Sequence, residues 1–350
     1  MRILVIGGTG FIGPFVVRRL HEAGHEVTLF HRGRTEADLP SGVEHVYGDR
    51  GRLPGLRATF ARLAPDVVLD MIPATEQDAR TLLETVGRLA RRVVAISSMD
   101  VYRAYDRLRR KDPGPPDPTP LTEDSPLRDR LYPYRGEEPH GRRAVDDRRR
   151  WQDDYDKILV ERVVMGQRHL LGTILRLPMV YGVGDYQHRL FPYLKRMDDG
   201  RRAIVLDEGL ARLRASRGYV ENVAVAIALA VTDDRAAGRV YNVAEPDALS
   251  EAEWVRLIGR VTGWDGKVVP GPPDRLPERL RTTMDTDQHW IVSTERIRHE
   301  LGYAEPVPRD EALRRTIAWE RAHPPGDVDP GKFDYAAEDT ALAELGQHAG

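Results

Sequence analysis

The chain opens with two kinds of apolar spacing in turn. RILVI (2–6) is a continuous aliphatic run, apolar residues then recur at helical spacing from Phe11 to Leu20, and EVTLF (26–30) is again nearly continuous. That succession predicts a strand, an amphipathic helix stopped by Gly24 and a second strand, together one βαβ unit. PDVVLDMI (65–72) and RRVVAISS (91–98) are further continuous runs, separated by helical spacing in EQDARTLLETVGRLA (76–90). Strands apolar on both faces and alternating with helices predict a parallel sheet covered on both sides. Ligands of such sheets bind beyond the strands' C-terminal ends, so Asp49, Met71 and the segment from Ser97 to Tyr102 are expected at the crevice.

The turn after the first strand carries Gly7, Gly10 and Gly13, with Thr9, Phe11 and Ile12 between them. Gly7 permits a tight turn, Gly10 lets the backbone approach a pyrophosphate, and Gly13 lets the helix pack closely on the sheet. The helix N-terminus then points its free N–H groups at the anion. Strand before, helix after and a second strand at the right distance make this a dinucleotide fingerprint. The second strand ends on His31, Arg32 and Arg34 rather than on an acid that would accept from ribose hydroxyls. Positive charge there suits a 2′-phosphate, so NADP(H) is the preferred cofactor and NAD(H) the alternative.

Composition narrows the partners. A chain of 350 residues has room for a large domain and a smaller lobe. The net charge of -2 and pI near 6.6 show no basic excess for nucleic acid, so a small-molecule substrate is expected, with a homodimer compatible. The absence of cysteine excludes disulfides and thiolate sites and fits a reducing, cytoplasmic setting. No run approaches the ~18 apolar residues of a membrane helix, and the first strand begins at Arg2, leaving no space for a signal peptide. The histidines show no metal-ligand spacing, so no metal is expected.

These glycines at G-x-x-G-x-x-G spacing are followed in order by GD (48–49), SSMDVY (97–102), DKILVE (156–161) and RLPMVYG (176–182). RGYVENVAVAIALAV (217–231), VYNVAEP (240–246) and STERIRHELGY (293–303) continue the series. The ordered blocks, covering the chain to about residue 320, resemble the extended short-chain dehydrogenases/reductases, the NAD-dependent epimerase/dehydratase family. The resemblance implies an α/β fold: a Rossmann-type doubly wound parallel sheet with a smaller, mainly helical C-terminal substrate lobe. The expected dinucleotide-binding domain is 1–178, with a lid insertion at 103–150. The substrate lobe is 179–325, with about 217–245 returning to the first domain, and 326–350 is a loosely held polar tail.

The family's catalytic serine, tyrosine and lysine are also implied. By its offset from VY, Ser98 matches the serine that bonds the substrate oxygen, and Lys157 matches the lysine that holds the nicotinamide ribose and lowers the tyrosine pKa. Lysine is rare here, confined to positions 111, 157, 195, 267 and 332, so this chain uses arginine wherever charge alone is needed. The tyrosine is misplaced. A partner sharing the lysine's helical face lies four residues earlier, where the chain has Asp153, whereas Tyr155 precedes Lys157 by two, ~200° around a regular helix. Three readings stay open. The helix starts late, on Asp154 or Asp156 as N-cap, and Tyr155 reaches the pocket from outside it. Alternatively Asp153 or Tyr102 moves the proton, or no proton moves and the protein is an NADP(H)-binding sensor or interaction protein without redox turnover.

In the sugar-nucleotide members of the family the position of Met179 is usually a substrate-touching asparagine, and Arg217 matches an arginine that often meets a substrate phosphate. Methionine makes no such polar contact. Tyr102, Met179 and Arg217 are thus the substrate candidates. Basic runs in the insertion, RRK (109–111) and RRR (148–150), could attract an anion. Ser250 and Glu253 read as a capping box and Gly302 as a helix stop. The expected function is NAD(P)-dependent hydride transfer to or from a carbonyl or secondary alcohol, as net redox or as a step of epimerisation or dehydration.

Overall fold

The continuous runs fold as the sheet that their burial requires. The computed structural model describes residues 1–35, 37–136 and 150–346. β1 (Arg2–Ile6) leads through α1 (Gly13–Glu22) to β2 (Glu26–His31), and β3 (Glu44–Tyr47) follows beside it. The chain passes α2 (Arg57–Leu63), β4 (Val67–Asp70), α3 (Glu76–Val86), β5 (Arg92–Ser98), α4 (Arg103–Leu108), α5 (Lys157–Met165) and β6 (Leu171–Leu177). Then come β7 (Met179–Tyr181), α6 (Phe191–Asp198), β8 (Ala203–Asp207), α7 (Glu208–Arg212), β9 (Arg217–Tyr219), α8 (Val220–Thr232) and β10 (Val240–Asn242). α9 (Glu251–Thr262), β11 (Lys267–Gly271), α10 (Glu295–Leu301), α11 (Arg309–Ala322) and α12 (Tyr335–Glu344) complete it.

Seven strands form one parallel sheet in the order β10-β6-β5-β4-β1-β2-β3. β1, β2 and β4 are buried almost throughout, because helices cover both faces. The second region adds two short parallel pairs, β7 with β9 and β8 with β11, among helices. α8 packs on α1, and β10 extends the main sheet beside β6.

One expectation needs correction. The polar stretch from 326 is not a loose tail through its described part. α12 docks with Leu342 fully buried, and Glu338, itself buried, holds Arg196 in an ion pair of 2.6 Å. The insertion after Ser98, expected as a lid, is well anchored over its described residues. Arg103 and Arg107 both pair with buried Asp117, Arg130 grips buried Asp106, and Arg128 is wholly enclosed, donating to the Asp100 carbonyl. Residues 137–149, and with them Arg148 and Arg149 of the second basic run, lie outside the described residues.

Candidate active site

Strand order reverses at β1, whose neighbours are β2 on one side and β4 on the other, so a crevice opens beyond their C-terminal ends. The glycine loop forms one wall. Gly7 and Gly8 sit at φ +81° and +109°, conformations that side chains resist. A Cβ on Gly13 would lie 2.2 Å from the Gly8 Cα, whereas one on Gly10 would meet nothing within 4 Å. The first allows α1 to close on the loop, and the second leaves backbone open to a ligand. α1 starts with no side-chain cap and no acid in its first turn, whereas α3 and α9 both begin with capping boxes. Uncapped N–H donors over an open glycine loop fit the diphosphate of a nicotinamide dinucleotide.

Other cofactor candidates fall around this wall. Thr9, Phe11 and Ile12 are half-buried, and the Phe11 ring meets Tyr186 edge-on at 6.5 Å between centroids. Met71 is half-buried at the end of β4 and packs on the core, while Asp49 is exposed and caps the turn after β3 by accepting from the Gly51 N–H at 2.9 Å. Arg32 and Arg34 are exposed, and half-buried His31 shares a 2.8 Å hydrogen bond with His45. Burial, then the neighbouring His45, hold the His31 pKa below its ordinary value. Tyr47, Ile72, Trp151 and Tyr186, among the most exposed large apolar side chains, all leave segments at this end of the sheet or just before Tyr155. Apolar surface left bare around a cleft suits ligand contact.

The tyrosine problem resolves in the backbone. Asp156 is the N-cap of α5, with extended φ -160° and ψ 109°, and its carboxylate accepts from the Ile158 N–H at 2.8 Å. Just before it, Tyr155 makes an antiparallel bridge with Thr75, and the Asp156 N–H donates to the Ala74 carbonyl. The Tyr155–Lys157 step is therefore strand-like. In extended chain, residues i and i+2 face the same way, as i and i+4 do in a helix. Lys157, first residue of α5, places its Nζ 5.8 Å from the Tyr155 ring centroid. The helix does start late, with Asp156 as its cap.

The groups that meet here are Ser98, Asp100, Tyr134, Tyr155 and Lys157. Tyr155, 8% exposed, donates to Asp100 Oδ2 at 2.9 Å, and Tyr134 donates to the same oxygen at 3.1 Å. Ser98 Oγ accepts from the Asp100 N–H at 3.2 Å, and the Ser98 side chain weakly opposes the rise of the Tyr155 pKa. Asp100 Oδ1 is buried with no hydrogen-bond partner among the described residues. Burial raises the Asp100 pKa, opposed chiefly by Arg128, and burial together with the Asp100 charge lifts Tyr155 well above the ordinary phenol range. Lys157 Nζ donates to the Pro73 and Ile96 carbonyls at 2.7 and 2.8 Å, using two of its three donors. Burial lowers its pKa to about 8, against the raising influence of Asp100 and Asp70.

A buried network fixes α5 on the sheet beneath these groups. Glu161 takes both Arg176 Nε and Nη2, at 3.0 and 2.7 Å, and the Ser97 hydroxyl at 2.6 Å. Arg176 also donates to the Tyr102 hydroxyl at 2.9 Å, and that hydroxyl donates to Asn242 at 2.6 Å. Tyr102 is thus a fully enclosed core phenol, turned away from the crevice, which corrects its expected place at substrate. Asp153 is buried one turn before α5, with Arg150 Nε 3.9 Å from its carboxylate.

Met179 and Arg217 do come together, as register partners of β7 and β9 on a cavity of about 220 Å³. Arg217 is not on the surface: it is 8% exposed and paired with Glu251. Sequence reasoning missed Asp100, Tyr134 and Glu251. Asp100 left a signal, an acid within the quoted SSMDVY block; Tyr134 and Glu251 arrive from distant segments and left none.

Residues 3–244 match the NAD dependent epimerase/dehydratase family, and the protein belongs to it. It is 28% identical over 302 residues to a 2'-dehydrokanamycin reductase of Streptomyces kanamyceticus, covering 85% of this chain and 75% of that one. It is 25% identical over 358 residues to a UDP-glucose 4-epimerase of Streptomyces lividans, covering 94% and 99%. Among solved structures, the enzyme WbmG of Bordetella bronchiseptica in complex with NAD superposes with a TM-score of 0.66 at 17% identity, over 94% of this chain and 96% of that one, a likeness of fold. Among the described residues no helix is long and apolar enough to cross a membrane, and no acid or histidine cluster could hold a metal.

Proposed function

We propose that the protein is an NAD(P)-dependent oxidoreductase that moves a hydride to or from a hydroxyl-bearing carbon of a small, sugar-like substrate. The observation that carries the reading is the shared face of Tyr155 and Lys157 across an extended cap, with Ser98 and the Tyr155 phenol both bonded to Asp100. Ser98 holds the reacting oxygen, Tyr155 exchanges the proton with it, and the remaining Lys157 donor meets the nicotinamide ribose. A bound nicotinamide dinucleotide would supply or accept the hydride. Burial and Asp100 hold the Tyr155 phenol protonated, the form that can donate a proton to a substrate oxygen. The ammonium of Lys157 offsets the charge that develops on the ring. The reductase and epimerase names of the relatives support the same class. No observation favours a sensor without turnover.

Arg32, Arg34 and His31 support NADP(H) as the preferred dinucleotide. Calorimetry with the oxidised and reduced forms of both dinucleotides tests this. One charge-assisted contact to the 2′-phosphate, ~1.5–3 kcal/mol, should make NADP(H) bind at least ~tenfold more tightly, and Lys157→Met should weaken both. Absence of heat with all four overturns the reading, and tighter NAD(H) overturns the preference.

A further inference from the structure

The cavity beyond β7 lies close along the sheet to Ser98. Leu177 is the strand partner of Ser98, and Met179 follows two residues later on the cavity wall. Two arginines line the space, and both are already matched. Arg217 pairs with Glu251 and lies 4.6 Å above the Trp254 ring, and Arg189 donates to buried Asp185 at 2.6 Å. Glu251 is held from the other side by the Tyr193 hydroxyl at 2.7 Å. Neither helix start on the cavity stands ready for an anion: Ser250 and Glu253 cap α9, and at α6, which has no side-chain cap, the Phe191 and Tyr193 N–H groups already bond the His188 and Leu190 carbonyls while Pro192 has no N–H. What the walls do offer is the Met179 thioether, Leu190, and the faces of Tyr181 and Trp254, whose rings meet at 5.1 Å.

A diphosphate needs a cation with charge to spare. Entering here it would have to displace Glu251 from Arg217, leaving a carboxylate 15% exposed beside the phosphate. We propose that Glu251 sets the substrate class: by neutralising Arg217 it closes this cavity to nucleoside diphosphates and reserves it for an uncharged, hydroxyl-bearing ring. The inference rests on the oxidoreductase reading for the identity of the site. Aromatic faces beside partnered polar groups are the surface on which such a ring stacks, since its C–H faces are apolar and its edges are polar.

Uridine diphosphate and nitrophenyl glucoside are titrated against the wild-type protein and Glu251→Gln, with NADP+ titrated into each. The wild type should show no saturable uridine diphosphate binding into the ~millimolar range while the glucoside quenches tryptophan fluorescence, and Glu251→Gln should gain at least ~tenfold for uridine diphosphate with NADP+ affinity unchanged. Micromolar binding of uridine diphosphate by the wild type overturns the proposal, and that measurement needs no variant. So does a Glu251→Gln protein that still binds NADP+ yet gains nothing, or a wild type that ignores the glucoside. Loss of NADP+ binding by the wild type alone would instead refute the oxidoreductase reading and leave the uridine diphosphate comparison intact.

Discussion

Replacing Tyr155 and Tyr134 by phenylalanine, singly and together, tests the centre of the site without knowledge of the substrate. Each phenol donates to one oxygen of a carboxylate that is 3% exposed. A hydrogen bond to a charged group contributes ~1.5–3 kcal/mol, so each single change should lower unfolding free energy by about that much near neutrality. The double change should cost less than the sum, because burial already raises the Asp100 pKa and a carboxylate losing both donors takes up a proton instead. A carboxyl whose pKa is raised by folding stabilises the protein most in acid and loses that contribution as pH rises through the folded pKa. Removing a phenol moves that pKa further up, so the variants' deficit should shrink as pH falls and Asp100 is neutralised in every form. Urea unfolding at neutral pH and in mild acid reads each term. A deficit under ~0.5 kcal/mol for both single variants, or one that grows in acid, would refute the phenol–carboxylate arrangement.

Four further outcomes follow from the same geometry. Tyr155→Phe should lower kcat/KM by ~10²–10⁴-fold on any carbonyl substrate found by a hydride-transfer screen, with Asp153→Asn close to wild type; equal losses would make Tyr155 one proton carrier among several. Gly13→Ala should weaken dinucleotide binding at least ~tenfold, since its methyl has only backbone to push against; unchanged calorimetric affinity would show the loop gives way. Glu338→Ala should cost ~3–5 kcal/mol in chemical denaturation by leaving Arg196 buried and unpaired, whereas a loss under ~1 kcal/mol would mean that α12 is not docked. NADPH affinity should rise as pH falls from mild alkali to mild acid, because a 2′-phosphate favours the charged form of His31, while NADH affinity stays flat; parallel profiles would exclude His31 from that contact.

Local signals were legible and long-range ones were not. The first βαβ unit, the Ser250–Glu253 box and the left-handed Gly302 at φ +70° depend on near neighbours and stand where the sequence puts them. Tyr102 was misread because an aromatic closing a functional block looks the same whether it faces ligand or core; Arg176 and Asn242, remote in sequence, decide that it faces core. The last helix was overlooked because its composition is polar, although Ala341, Leu342 and Leu345 do follow Ala337 at helical spacing. Arg217 could be placed at a pocket by its strand, but its charge balance hinged on Glu251, which no local pattern ties to it.

The cap at Asp156 has a consequence for how such chains are recognised. A signature that counts residues assumes that the first turn always winds up at the same point, and here it winds up later. One residue inserted between the phenol and the ammonium would flip the phenol to the opposite side, although the spelling would look nearer the usual one. Kinship in such enzymes is better traced by where the backbone stops being stretched than by the length of a gap.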